Sequence, residues 1–216
     1  VAPLYSFRFL LVSFLFLALL AGCDAGFQPG SYYPLYEEST WTYSGPMGTI
    51  SIEPDKEGNH WRRVHRDSLG RVVWWDQLHK TDSHVTWIQF HSQIPLGPDL
   101  TFEPPLLLTP FSDQLGDSRS VTGIEYRSDS TQTSIPIRVE YRIDSIDHVT
   151  IPAGEFNHCI KWTLRYSYLE QVERTYLEGE HVWWLAKDVG PVQYRMPGGQ
   201  GVLLSAVIDG KELPRD

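Results

Sequence analysis

Apolar and polar side chains alternate with a period of two along most of the chain beyond residue 35. The alternation is clearest at residues 135–144 and 160–168, where Ile, Val, Trp, Leu and Tyr are separated mostly by charged or hydroxyl side chains. Because successive side chains of a strand point to opposite faces, this pattern predicts strands with one face in a core and one face in water. No stretch after residue 22 has a convincing helical period, so the sequence predicts an all-β fold.

Turn residues divide the alternating runs into about ten or eleven predicted strands. Segments such as Asp67–Gly70, Pro152–Gly154 and Asp188–Gly190 interrupt the pattern at short intervals, and their residue types favour tight turns. Short strands joined by such turns form an antiparallel meander, and a sheet of this size must curl or close. We therefore expect a single antiparallel, strongly curved sheet that is either half-open or closed like a barrel.

One long segment, Ser92–Asp117, does not follow the alternation. It contains five prolines and the apolar cluster Leu106–Leu108. Structureless segments of this length are uncommon and often functional. Two interpretations are open: a lid or plug over the concave face of the sheet, or a crossover connection whose leucines cap the core.

The first 22 residues have a different character from the rest of the chain. The run Phe9–Leu20 contains one hydroxyl side chain and no charge. As a helix it would span roughly 18 Å, whereas the hydrocarbon core of a bilayer is about 30 Å thick. The run is therefore too short for a stable transmembrane helix and is typical of the apolar region of a signal peptide.

The apolar run ends in Leu20-Ala21-Gly22-Cys23, in which a leucine and two small residues precede a cysteine. This sequence resembles the lipobox of bacterial lipoproteins. The resemblance implies that a signal peptidase recognises Leu20, Ala21 and Gly22, that the chain is cleaved before Cys23, and that Cys23 receives a diacylglyceryl thioether and usually an N-acyl chain. Two or more acyl chains anchor a protein stably in a membrane, whereas one does not.

The anchor implies a domain organisation and a location. Residues 1–22 are predicted to be a lipoprotein signal peptide, residues 23–35 the lipidated N terminus and a tether, and residues 36–216 a single all-β domain. The location implied is the bacterial cell envelope. Asp24 resembles a signal for retention in the inner membrane of enteric bacteria, which favours the inner membrane facing the periplasm and leaves the outer membrane open.

Two later motifs also resemble known proteins. Ile151–Cys159 is similar to a "VPAG-x-F-x-x-C" turn, and Trp184–Val192 is similar to a "W-x-A-x-x-VG-x-V" hairpin. Both motifs, together with Tyr33–Leu35 and Trp41–Tyr43, resemble a broad group of uncharacterised bacterial secreted proteins and lipoproteins. The resemblance implies a β fold and an envelope location, and it brings no enzymatic activity with it.

Charge and cysteine content narrow the functions further. The formal net charge of −9 disfavours nucleic acid and anionic headgroups as partners, so attachment to a membrane would depend on the lipid. With Cys23 committed to lipid, Cys159 has no partner for an intrachain disulfide. We interpret Cys159 as a small buried apolar residue.

No motif in the sequence indicates catalysis, a cofactor or a metal. The eight histidines include no His-x-His or His-Glu-x-x-His pair, which metal sites commonly use. The sequence also contains no Gly-x-Ser-x-Gly or Ser-x-x-Lys motif. We therefore assign no catalytic, cofactor-binding or metal-binding residue, and we expect the protein not to be an enzyme.

Two pairs of adjacent tryptophans suggest a binding surface. Trp74 and Trp75 must face opposite sides of a strand, and so must Trp183 and Trp184. If one side is core, the other ring of each pair is exposed or lines something. One interpretation is an aromatic groove for a lipid, glycan or peptide that uses these four residues; the other is a two-layer fold in which the chain covers both sides.

Three classes of function remain for this predicted envelope domain. The favoured hypothesis is a non-catalytic scaffolding or partner-binding role at the membrane surface. The first alternative is a carrier or sensor of an apolar ligand in a cavity of the sheet. The second alternative is a hydrolase, which would need converging acids or a Ser/His pair in a cleft.

Overall fold

A computed structural model describes residues 27–55, 59–93, 97–128 and 134–213, and these form one antiparallel sheet. A single 3₁₀ helix, Pro29–Tyr32, precedes it. The thirteen strands are β1 Thr40–Tyr43, β2 Thr49–Pro54, β3 His60–Arg66, β4 Val72–Lys80, β5 Val85–Ser92, β6 Leu100–Leu107, β7 Ser118–Arg127, β8 Ser134–Ile151, β9 Gly154–Tyr168, β10 Gly179–Ala186, β11 Gly190–Met196, β12 Gly199–Ile208 and β13 Lys211–Leu213.

The sheet closes on itself. Each strand pairs with the next one in sequence, and β12 also pairs with β1, from Thr40 opposite Val207 to Tyr43 opposite Leu203. Strands β1–β12 therefore form a closed barrel, and the short β13 continues along β12 outside the closure. The predicted all-β, antiparallel and strongly curved sheet is confirmed in its closed form. The described strands outnumber the predicted ten or eleven partly because β6 and the three-residue β13 lack a clear alternating pattern.

The hairpin of β8 and β9 is the longest in the barrel and contains the first family-like motif. Gly154, in the turn between these strands, has φ of 134°, a backbone conformation that glycine adopts without strain. Cys159 then points into the core with none of its surface exposed, and its Sγ donates to the Phe156 carbonyl at 3.5 Å. Burial raises the pKa of the Cys159 thiol to about 12, so the interpretation of this cysteine as a buried apolar residue is confirmed.

The described part of segment Ser92–Asp117 is neither a lid nor a simple connection, because it contains β6. Leu100 and Thr101 pair with both β5 and β7, Phe102 and Glu103 pair with β7, and Leu106 and Leu107 pair with β5. Pro104 and Pro105 fall in the irregularity between the two paired stretches, where a missing N–H donor breaks no ladder hydrogen bond. The prolines obscured a strand of the barrel wall, and Leu106 and Leu108 are buried on its inner side.

Residues 27–35, which the sequence assigned to the tether, pack against the barrel. Tyr33 and Leu35 belong to one of the two clusters of buried side chains in the core. Phe27 and Tyr32 pack against the second cluster. The Asp188 amide donates to the Ser31 carbonyl at 2.7 Å, which fixes the segment against the β10–β11 turn. Glycine and proline in this segment shape a folded extension of the domain rather than a loose linker.

Candidate functional site

A small cavity of about 130 Å³ lies inside the barrel and is partly open to solvent. Its lining includes members of both core clusters, such as Leu108 of the first and Leu164 of the second, so it lies where the two clusters meet. The lining is mainly apolar and rich in aromatic rings. The side chains that form its apolar walls include Trp74, Trp87, Phe90, Leu106, Leu108, Leu164 and Trp183.

One wall of the cavity is charged. Strands β3 and β4 place Arg63 opposite Asp76 and His65 opposite Trp74, so all four side chains share the inner face of the sheet. Arg63 Nε donates to Asp76 Oδ2 at 2.7 Å, and His65 Nε2 lies 3.0 Å from the same oxygen. Arg63 Nη1 also donates to the Tyr33 hydroxyl. We call Arg63, His65 and Asp76 the inner triad.

The electrostatics of the inner triad fix the charge of each member. Burial alone would raise the pKa of Asp76, but Arg63 and the hydrogen bond from His65 outweigh it and hold the pKa below its ordinary value. Burial lowers the pKa of His65, and the favourable contact with Asp76 does not reverse the shift. At neutral pH the triad is therefore an ionised Asp76, a charged Arg63 and a neutral His65.

The neutral ring of His65 has a defined tautomer. An ionised carboxylate only accepts hydrogen bonds, so His65 Nε2 carries the proton and donates it to Asp76. The other ring nitrogen, Nδ1, is then an acceptor. Neither His65 Nδ1 nor Asp76 Oδ1 has a hydrogen-bond partner among the described residues, although both atoms are buried. Buried polar atoms normally have partners, so two side chains that line the cavity each carry an acceptor without a partner among the described residues.

A second buried ion pair lies next to a residue that lines the cavity, Tyr166, and its carboxylate is better satisfied than that of Asp76. Glu125 and Arg127 are both on the inner face of β7, and Arg127 Nε donates to Glu125 Oε1 at 2.5 Å. The Tyr166 hydroxyl donates to Glu125 Oε2 at 2.5 Å, and the Tyr168 hydroxyl lies 3.3 Å from the same oxygen. We call Glu125, Arg127, Tyr166 and Tyr168 the outer cluster, because only Tyr166 of the four lines the cavity.

The structure separates the members of each tryptophan pair. Trp74 and Trp183 point inward and line the cavity together. Trp75 lies on the outside of the sheet, stacked on His91 with ring centroids 3.7 Å apart. Trp184 does not line the cavity; it packs against the first core cluster and donates its Nε1 proton to Asp147 Oδ2 at 2.8 Å. Two of the four predicted groove residues therefore meet at one site, and the other two have partners elsewhere.

Sequence reasoning missed the inner triad, although a signal for it exists. On β3, Trp61, Arg63 and His65 occupy every second position, in phase with buried residues of β2. Asp76 likewise lies between Trp74 and Leu78 on the inner face of β4. Charged residues in phase with apolar neighbours indicate buried charge, and buried charge commonly marks a functional site.

Other surfaces of the barrel offer weaker candidates. A cleft of about 280 Å³ lies over β8 and β9 and is lined by side chains of both charges, including Glu140, Arg142 and Arg165. These three residues are exposed, so water already solvates them. This cleft is larger than the inner cavity, but it holds no buried polar atom without a partner.

Several expectations concern features that the described residues either lack or do not include. Within residues 27–55, 59–93, 97–128 and 134–213, no group of three His, Cys, Asp or Glu side chains is arranged to hold a metal ion. The lipobox, Leu20–Cys23, and Asp24 lie outside these ranges. No helix in the described part of the chain has the length and apolar character needed to cross a membrane.

Comparison with known proteins identifies the fold. No protein-family model matches the sequence, and no curated protein gives a significant match. A crystal structure of a "putative lipoprotein" from Parabacteroides distasonis has 12% identity and a TM-score of 0.52, and the match covers 81% of this chain and 97% of that one. A "putative exported protein with YmcC-like fold" from Bacteroides fragilis has 14% identity, a TM-score of 0.51 and the same coverage. At these identities the likeness shows a shared barrel fold.

Proposed function

We propose that this chain is a lipid-anchored protein of the bacterial cell envelope whose barrel binds a small apolar ligand. The observation that carries the proposal is the aromatic cavity with the inner triad in its wall. Taking a charge out of water costs several kcal/mol per ion, even after relaxation. A barrel core made only of apolar side chains would avoid this cost, so the triad supports a role in binding.

The size of the cavity restricts the ligand. An apolar cavity of about 150 Å³ accommodates benzene, and the cavity here is about 130 Å³. A whole lipid is much larger than this volume. The proposed ligand is therefore a compound with the dimensions of one small ring.

The residues around the cavity favour binding over hydrolysis. His65 and Asp76 have the relative positions of a base and its orienting acid, which nucleophilic catalysis would require. The described lining residues include no Ser, Thr or Cys side chain that His65 could activate, and the Tyr166 hydroxyl is engaged by Glu125. This composition supports a binding site.

Toluene is a suitable probe for the cavity. We expect isothermal titration to detect binding to the purified protein, and Leu164→Phe to abolish it, because the larger ring would fill the cavity. Leu204→Phe is the matched control, since Leu204 does not line the cavity and is exposed. Failure of toluene to bind, or equal binding by Leu164→Phe protein with a native melting transition, would contradict the proposal.

The anchor has its own test. The lipobox resemblance predicts that cells incorporate a palmitate analogue into the wild-type protein and not into Cys23→Ser. Cys159→Ser is the control, because the buried Cys159 thiol is unavailable for lipidation. Unchanged labelling of Cys23→Ser would contradict lipidation at Cys23, and it would leave the cavity proposal unaffected.

A further inference from the structure

We infer that the cavity selects a small neutral compound that carries a hydroxyl group, and that this hydroxyl donates a hydrogen bond to His65 Nδ1. The inference rests on the proposed function and adds the chemical class of the ligand. Three features of the structure support it: the state of the acceptor, the charge balance of the lining and the shape of the apolar walls.

His65 Nδ1 is a hydrogen-bond acceptor in need of a donor. The His65 side chain is 3% exposed, and Nε2 is already engaged by Asp76. Asp76 Oδ1 also lacks a partner, but the charge of that carboxylate is compensated by Arg63. The lone pair of His65 Nδ1 has no hydrogen-bond donor among the described residues. A hydroxyl group in the cavity would satisfy this atom, whereas a hydrocarbon would leave it unpaired.

The charge balance of the cavity favours a neutral ligand. Arg63 and Asp76 are the only charged side chains in the described lining, and they form an ion pair. A carboxylate or ammonium on the ligand would therefore enter an apolar space with no counter-ion of its own, which is strongly unfavourable. A hydroxyl group supplies a donor without adding charge.

The walls of the cavity position the apolar part of the ligand beside this acceptor. The His65 ring stacks on Trp74 with centroids 4.6 Å apart, and Trp74 and Trp183 both line the space. A ring held between these aromatic walls would lie near the imidazole. Since the volume suits a benzene-sized group, phenol is the simplest compound that combines the size, the neutral charge and the donor.

Phenol and toluene form a matched pair for the test, because they differ only by a hydroxyl in place of a methyl group. The quantity measured is the ratio of the toluene Kd to the phenol Kd by isothermal titration. We expect this ratio to fall at least tenfold in His65→Leu, because leucine keeps the apolar volume and removes the acceptor. Comparing the ratio in two proteins cancels the difference in hydrophobicity between the probes.

A second measurement uses the wild-type protein, so it does not depend on whether the variant folds. Phenol should shift the ¹⁵N resonance of His65 Nδ1, and toluene should shift it much less. His84 is the internal control, since its Nδ1 is also buried without a partner but does not line the cavity. Its resonance should respond to neither compound.

The outcomes separate this inference from the proposed function. If toluene binds and the Kd ratio stays within twofold in His65→Leu, the hydroxyl preference is wrong and the binding cavity stands. Equal shifts of His65 Nδ1 with phenol and toluene would also overturn the inference. If neither compound binds, the proposed function itself fails.

Discussion

Two buried arginine–carboxylate pairs lie in one barrel, and they differ in how fully the carboxylate is satisfied. In the outer cluster, both oxygens of Glu125 accept hydrogen bonds, one from Arg127 and one from Tyr166. In the inner triad, both donors to Asp76 share Oδ2, and Oδ1 has no partner. Arg127 Nη2 also lacks a partner among the described residues, so the contrast concerns the acceptors. A satisfied carboxylate has the features of a structural element, whereas an unpaired acceptor beside a cavity has the features of a binding site.

The surroundings of the two arginines strengthen the contrast. The Arg127 guanidinium lies 5.2 Å from the ring centroid of Tyr168 and 4.9 Å from that of Tyr176. Its Nη1 donates to the Arg174 carbonyl at 2.8 Å, which holds the segment between β9 and β10. Arg63 also lies over two rings, 5.7 Å from the centroid of Tyr33 and 6.0 Å from that of Trp87, but its hydrogen bond joins the cavity wall to Tyr33 in the N-terminal segment. The outer cluster therefore fixes a loop, and the inner triad connects the cavity to the part of the chain nearest the proposed anchor.

The largest expected effect comes from removing the carboxylate of the outer cluster. Glu125→Ala would leave Arg127 buried without a counter-ion, and breaking such a pair costs about 3–5 kcal/mol in unfolding free energy. Urea denaturation measures this change. Glu180→Ala is the control, because Glu180 pairs with Arg195 on the surface, where the side chains are 39% and 54% exposed. That control should lose less than about 1 kcal/mol, and equal losses in the two variants would remove the structural role of the outer cluster.

A smaller loss is expected when one donor to Glu125 is removed. Burial and the nearby Glu125 raise the pKa of Tyr166, so its hydroxyl stays protonated and donates. Tyr166→Phe should lower the free energy of unfolding by about 2 kcal/mol, the range for a hydrogen bond to a charged group. In the control Tyr126→Phe, the lost bond is to the exposed Glu103, and the change should be under about 0.5 kcal/mol. A Tyr166→Phe protein as stable as this control would contradict the comparison.

Much of the barrel follows from local sequence, and the exceptions have physical causes. On β8 and β9, the alternation at residues 135–144 and 160–168 and the turn at Gly154 indicate the strands from local sequence. The two register irregularities between these strands are not evident from that pattern. The strand β6 was obscured because Pro104 and Pro105 cannot donate ladder hydrogen bonds. Both prolines lie between Thr101 and Leu106, where the pairing of β6 with β5 is interrupted and its pairing with β7 has ended. This interruption is a property of the assembled sheet.

The sequence predicted four tryptophans as groove residues, and only Trp74 and Trp183 line the cavity. The reason again lies in the assembled sheet. Adjacent tryptophans must face opposite sides, but the sequence around Trp74 and Trp75 does not say which side is the interior. Which side chains of β4 face inward is set by the register with β3, which places Arg63 opposite Asp76. The meeting of Trp74 with Trp183 depends on closure of the barrel, because their strands are far apart in sequence.

The inner triad should make stability depend on pH. Burial lowers the pKa of His65, whereas the unfolded chain takes up this proton near pH 6.5. As the pH falls below about 6.5, the unfolded state binds more protons than the folded state, and the free energy of unfolding decreases by up to about 1.4 kcal/mol per pH unit for this group. The loss continues until the pH reaches the folded pKa. The groups facing His65 are Asp76 and Arg63, which keep their charges in this range, and His181 across the cavity.

The measurement compares wild type with His65→Leu by urea denaturation between pH 7.5 and 5.5. Burial also lowers the pKa values of His181 and His84, but both histidines are present in both proteins, so their contributions cancel in the difference. Wild type should lose stability more steeply than His65→Leu below pH 6.5. Parallel curves would mean that His65 is not held neutral by the fold.

The smallest effect is expected for the same His65→Leu change at pH 7.5, and it sharpens the contrast with Tyr166→Phe. Leucine removes a hydrogen bond to Asp76, which is unfavourable, and it also removes the unpartnered Nδ1 from the interior, which is favourable. Asp76 keeps its pairing with Arg63 at 2.7 Å. We expect the two contributions to cancel to within about 1 kcal/mol, as measured by urea denaturation. A loss of unfolding free energy as large as that of Tyr166→Phe would show that the inner triad stabilises the fold as the outer cluster does. The unpartnered His65 Nδ1 would then be no indication of a ligand.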